Sequence, residues 1–288
     1  MVKVPKGKYN IGKHRLESHY SDNETKEITL IINSFYIDST TVTNFEFNQF
    51  VQATDYITEA EKVGYSFVFY QLVSQNKDSL YEKVPELPWW RIVPKANWRH
   101  PEGDGSSISN RMEHPVVHVS RNDAKAYCDW AGKRLPTEAE WEIAAKGGTN
   151  FCDYPWGTEV LFNGQHNSNV WQGKFPERNT LEDGFMATAP AKYYVPNGYG
   201  CYQMIGNVWE WCANEAYIDI EYFKFKNGYE IWQESKIENE TLFAMKGGSF
   251  LCHPTYCDRN RISARNGNKG ISTASNIGFR CVRDEAQS

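Results

Sequence analysis

The stretch Trp130-Ala131-Gly132-Lys133-Arg134-Leu135-Pro136-Thr137-Glu138-Ala139-Glu140-Trp141-Glu142 holds a helix stop, a short extended link and a helix start. Gly132 ends a helix that begins at Ser120, with Asp123 at the fourth position of a capping box. Thr137 is followed three residues later by Glu140, so a second box opens the next helix, which Gly147-Gly148 terminates. Upstream, Thr43-Asn44-Phe45-Glu46 forms another box, and a helix to about Ala53 puts Phe47, Phe50 and Val51 on one side. Val2 to Ile11 reads as a strand, His14 to Lys26 as a loop, and Thr29 to Asp38 as a strand turning at Asn33-Ser34. Tyr65 to Phe69 is β-like, and Asn76 to Glu86 is expected to be a charged, mobile insertion. Pro88-Trp89-Trp90 and Trp98-Arg99-His100-Pro101-Glu102-Gly103 read as rigid aromatic loops. Beyond Gly148 the pattern predicts loops and short strands. Neither a repeat nor a low-complexity linker divides the chain, so one loop-rich α+β domain over residues 1–288 is expected.

Bulk composition narrows the function. A net charge of −5 over 288 residues is the wrong sign for a nucleic-acid face. No stretch approaches a membrane span, and Met1 to Gly7 lacks the apolar core of a secretory signal, so a cytoplasmic location is expected. Aromatic residues make up 15% of the chain, which suits a fold held by side-chain packing rather than by long helices. Seven cysteines is an odd count, so a monomer keeps at least one free thiol. The absence of any C-x-x-C pair argues against a zinc ribbon or a thioredoxin-like site.

The richest chemistry lies in Lys246-Gly247-Gly248-Ser249-Phe250-Leu251-Cys252-His253-Pro254-Thr255-Tyr256-Cys257. Glycines let the backbone turn sharply, and two thiolates can reach one soft ion such as Cu(I). The same spacing also fits a local disulfide or two buried thiols. His114 and His118 share an i,i+4 spacing, but Pro115 and the valines between them make the segment extended, which favours a structural role. Asn169, Val170, Asp183 and Phe185 offer hard oxygen ligands from side chains and carbonyls, as do Gln203, Gly206, Val208 and Glu210; calcium accepts such mixed sets. There is no G-x-S-x-G elbow, P-loop or dinucleotide fingerprint.

Longer strings make a family visible. Phe35-Tyr36-Ile37-Asp38, Asn97 to Gly103, His114 to Ser120, Trp130 to Glu142, Asn197-Gly198-Tyr199-Gly200, Gly206 to Trp211, Lys246 to Ser249 and Gly278 to Cys281 resemble the formylglycine-generating enzymes, the sulfatase-modifying-factor family. The resemblance implies that family's C-type-lectin-like α+β fold. It implies Cu(I) on Cys252 and Cys257, with Ser249 and His253 flanking the site. The implied reaction uses O2 and a reductant to turn a cysteine of a peptide or unfolded protein into formylglycine, in a monomeric enzyme. Trp209, Arg265 and Asn276 fall at groove positions, and Ser66 is retained beside Tyr65. Asn169, Val170, Asp183 and Phe185 match a calcium site; in a second, Gln203 stands where the family usually has asparagine. Cys128 and Cys281 match a bridged pair, whereas Ala144 and Ile262 stand where another disulfide would be. Arg121 replaces a tryptophan. Thr41 and Tyr65 stand where two carboxylates grip the arginine of a Cys-x-Pro-x-Arg substrate, so altered specificity is expected. The alternatives are a copper oxidase acting on another thiol and a non-catalytic binding or immunity module.

Overall fold

A computed structural model describes residues 1–13, 24–151, 153–235 and 240–285. Most of its helices start where a side chain and a backbone amide can trade hydrogen bonds. Helix α1 (Asn44–Thr54) opens at Thr43 with Glu46, and α2 (Glu59–Val63) at Thr58 with Glu61. A short α3 (Gln75–Asp78) precedes α4 (Arg121–Trp130), which opens at Ser120 with Asp123. Helix α5 (Glu138–Lys146) opens at Thr137 with Glu140, and α6 (Gly228–Glu234) at Asn227 with Glu230. Each box satisfies amides that would otherwise lack partners. Among the described residues no helix is long and apolar enough to cross a membrane.

Every residue of α5 is buried, so its polar groups need internal partners. Glu140 pairs with Arg134, Glu138 with Arg265, and Glu142 accepts from the Gly12 amide at 2.7 Å. Trp141 donates its indole N–H to Glu210 at 2.7 Å, and Arg280 takes Glu210 with two nitrogens, each at 2.7 Å. Removing one partner from such a buried pair costs about 3–5 kcal/mol, because the other charge is left uncompensated.

Around this helix lie small sheets. The largest runs Asn266–Lys269, Leu242–Lys246, Trp209–Glu215, Ile277–Gly278, antiparallel except for the last pair. Its register slips between Trp211 and Glu215, and Arg121 donates to the carbonyls of Cys212 and Ala213 there. The guanidinium stacks on Phe243 at 3.7 Å, and burial lowers its pKa to about 10. A flat group that also donates is what this slip in the register takes. A second sheet sets Phe35–Ile37 between Val2–Val4 and Val282–Asp284; a third sets Leu87–Pro94 between Tyr65–Phe69 and Glu82–Val84.

Several expectations change here. The charged stretch 76–86 carries regular structure, most of α3 and the strand Glu82–Val84. Pro88-Trp89-Trp90 belongs to an eight-residue strand rather than a loop. The stretches 2–11 and 29–38 each split into strands that join different sheets. Most of the loop expected over 14–26 lies outside the described residues.

Candidate active site

The strand Leu242–Lys246 ends in two glycines with φ of +93° and +75°. A Cβ on Gly247 would sit 2.7 Å from the Met204 carbonyl; one on Gly248 would sit 2.8 Å from the Asn260 Cα and 3.1 Å from the Cys252 sulfur. Glycine is therefore required at both places. The turn aims the Ser249 amide at the Cys252 sulfur, 3.4 Å away, while Asn276 donates to the Ser249 hydroxyl at 2.9 Å. Cys252 is buried, and its carbonyl accepts from the Trp171 amide at 3.0 Å. A turn then brings the Tyr256 and Cys257 amides onto the His253 carbonyl, both at 2.9 Å.

The two sulfurs end 3.3 Å apart, with the Cys252 thiol donating to Cys257. A disulfide would need about 2.05 Å, so both are thiols. Burial, and then Cys257, push the Cys252 thiol well up. Cys257 moves the other way: the hydrogen bond from Cys252 lowers it against burial, helped by Arg259. One sulfur is thus set to hold its proton and the other to lose it. His253 is half-buried with Nδ1 on the Thr255 hydroxyl at 2.9 Å, and burial lowers its pKa although Asp258 opposes this.

The sulfatase-modifying factor enzyme 1-like domain family matches residues 1–285. The chain belongs to that family. Similar members include formylglycine-generating enzymes of Thermomonospora curvata (47% identity, over 99% of this chain and 93% of that one) and Mus musculus (46%, 99% and 75%). A Bos taurus relative named inactive C-alpha-formylglycine-generating enzyme 2 is 39% identical over 98% of this chain and 87% of its own, so membership alone does not decide activity. PvdO from Pseudomonas aeruginosa shares the fold at a TM-score of 0.65, with 23% identity over 98% of this chain and 93% of that one.

The other residues expected at this family's site separate into two groups. Trp209 stays next to the centre, its amide donating to the Asn276 carbonyl at 2.8 Å. Arg265 is held by both oxygens of Glu138 and by the Ile218 carbonyl. Ser66 is fully buried, 2.8 Å from His118 Nδ1 and 2.7 Å from the Thr273 hydroxyl. Thr41 is buried as well, and Tyr65 is exposed. His114 bonds instead to the Thr188 hydroxyl at 3.0 Å, so the two histidines do not converge. Burial drops His118 to about 3, although the Pro101 carbonyl opposes this.

The calcium candidates also differ from each other. Asn169 Oδ1 is buried without a partner, while its amide donates to Ala187 and Asn207 at 2.7 and 3.1 Å. Asp183 accepts from the Val170 and Phe185 amides, each at 3.0 Å, and burial raises its pKa. In the other set Gln203 donates to the Pro190 carbonyl at 2.6 Å and keeps a buried, unpartnered Oε1, near Gly206 and Val208. Both oxygens of Glu210, however, are taken by Arg280. Cys128 and Cys281 are both fully buried, and their sulfurs meet at 3.4 Å as thiols, not as the expected disulfide.

Sequence reading missed Tyr256, Phe175 and Trp89. Phe175 stacks on Tyr256 at 4.2 Å, and the Trp89 indole donates to the Tyr256 hydroxyl at 3.2 Å. The three come from separated segments, and no spacing rule joins them.

Proposed function

We propose that the chain oxidises a cysteine of a peptide or protein substrate to formylglycine, using O2, a reductant and Cu(I) held by Cys252 and Cys257. The observation that carries this reading is the pair of thiols in contact, one buried and one at the lip. Their donor set suits a soft ion of low coordination number. Zinc wants four ligands, and among the described residues no three His, Cys, Asp or Glu side chains gather around one point. To hold the ion, Cys252 and Cys257 would give up their protons and the hydrogen bond between them. Copper, once bound, supplies the one-electron chemistry with O2 that cysteine side chains lack.

The rest falls to the chain. Cys257 gives up its proton first, helped by Arg259. Ser249, fixed by Asn276, holds a hydroxyl beside Cys252 that can orient a substrate or pass a proton. The cation that fits Asn169 and Asp183 is calcium, in a structural role: its loop reaches Asn207, whose carbonyl accepts from Phe250 at 3.0 Å. The second calcium set fits less well, since Glu210 is already neutralised by Arg280.

The test is direct. Protein reconstituted with Cu(I) under a thiol reductant is incubated in air with a cysteine peptide library, and aldehydes are captured by hydrazide and located by mass spectrometry. Aldehyde at cysteine is the expected result. A protein that binds copper tightly yet yields no aldehyde on any peptide would overturn the proposal.

A further inference from the structure

Cys252 and Cys257 are fixed in place by different means. Cys252 follows a strand, lies beneath Gly248 and is bonded through its backbone to Ser249 and Trp171. Cys257 sits after a turn, half-buried, with no helix or strand of its own. Its neighbour Tyr256 is gripped from outside the turn. Phe175 lies flat on the tyrosine ring, 4.2 Å away and tilted by 2°. Trp89 meets the same ring edge-on at 4.8 Å and donates its indole N–H to the hydroxyl at 3.2 Å. Trp89 arrives on Leu87–Pro94, the middle strand of its sheet, which Arg91 ties to Asp78 at 2.7 Å.

We infer that Trp89 is a positioning residue for Cys257: through Tyr256 it fixes the place of the cysteine lip opposite Cys252. A stacked ring can slide in its plane, whereas a directed N–H bond to the hydroxyl fixes that sliding. A rigid strand thereby sets the placement of a sulfur carried on a turn. That the pair binds copper is the reading given above; the placement of the lip can be tested without it.

Two readouts decide the matter. One is the alkylation rate of Cys257 in metal-free protein, followed by peptide mass spectrometry. The other is Cu(I) affinity, measured by competition with a chromophoric chelator. Trp89→Phe keeps an aromatic ring and loses the donor. It should speed alkylation and weaken Cu(I) binding by about two- to twelvefold, the range for one neutral hydrogen bond. Tyr256→Phe removes the acceptor and should act alike. The double variant should show no further change, because the two residues act as one unit. The proposal is overturned if Trp89→Phe leaves alkylation unchanged, or if the double variant shows the product of the single effects. Should Trp89→Phe fail to fold, Tyr256→Phe carries the test alone, and unchanged alkylation then refutes it. Absence of Cu(I) binding in the unaltered protein would sink the copper reading, while the alkylation cycle still decides the role of Trp89.

Discussion

Two cysteine pairs lie at nearly the same separation, 3.3 Å for Cys252–Cys257 and 3.4 Å for Cys128–Cys281. In the second pair both sulfurs are sealed in the core, and burial drives Cys281 well up. In the first pair one sulfur reaches the lip, and its proton is loosened by the other sulfur and by Arg259. Distance alone therefore does not say what a thiol pair is for. Access and charge distinguish a reactive pair from a structural one.

The largest difference should appear in reactivity. With metal removed, Cys257 should alkylate at least about a thousandfold faster than Cys128 or Cys281, which are reached through global opening. Its rate should stay high at about pH 7.5, because its folded pKa lies below that of an ordinary thiol. Comparable rates at the two pairs, followed by mass spectrometry, would abolish the distinction. Next comes metal affinity. Cys257→Ser should weaken Cu(I) binding by at least about a hundredfold, more than is typical for loss of an outer contact, while Cys281→Ser should leave it within about threefold. Equal losses in a chelator titration would mean that the core pair also binds.

A third experiment probes the core beside the site. His118 sits neutral, its pKa depressed to about 3 by burial. The unfolded chain takes up this proton first, so the stability it contributes is complete above about pH 6.5 and is lost as pH falls towards 3. From pH 6.5 to 5 the protein should lose about 2 kcal/mol relative to His118→Asn, which also tolerates the positive φ of 60° there. Parallel urea curves for the two proteins across that range would contradict this. The smallest effect concerns substrate choice. Under the proposed reading, in which Thr41 and Tyr65 stand at substrate-gripping positions without a charge, kcat/KM for an arginine peptide and its leucine counterpart should differ by less than about tenfold. Tyr65→Asp, at an exposed position, should tilt the ratio towards arginine; an arginine preference already strong in the unaltered protein would refute the expectation.

Much of this was legible along the chain, for local reasons. The boxes at Thr43, Ser120 and Thr137 are contiguous, and all three form as read. So does the left-handed stop at Gly147. The thiol pair was legible because its turn lies within one dodecamer. What escaped depends on distant partners. Pro88 lies inside the strand Leu87–Pro94, and it suggests a loop to local reading until Tyr65–Phe69 and Glu82–Val84 flank that strand. The partners of Arg265 and Ser66, Glu138 and Thr273, lie more than a hundred residues away, so the bonds that hold these two side chains could not be read locally. The boxes at Thr58 and Asn227 were legible in principle, but the helices they start are short and carry little periodicity.

The sheet in which Phe35–Ile37 lies between Val2–Val4 and Val282–Asp284 bears on how the domain is born. On a ribosome, the middle strand emerges early and can pair with Val2–Val4 at once. Its other edge waits for residues 282–284, and so does Arg134, which grips Asp284 with two nitrogens. Until then Ile37 has no settled core around it, and the open edge is a surface to which another nascent chain can add. Closing this sheet therefore waits on contacts between segments far apart in sequence, the slowest kind for a chain to make.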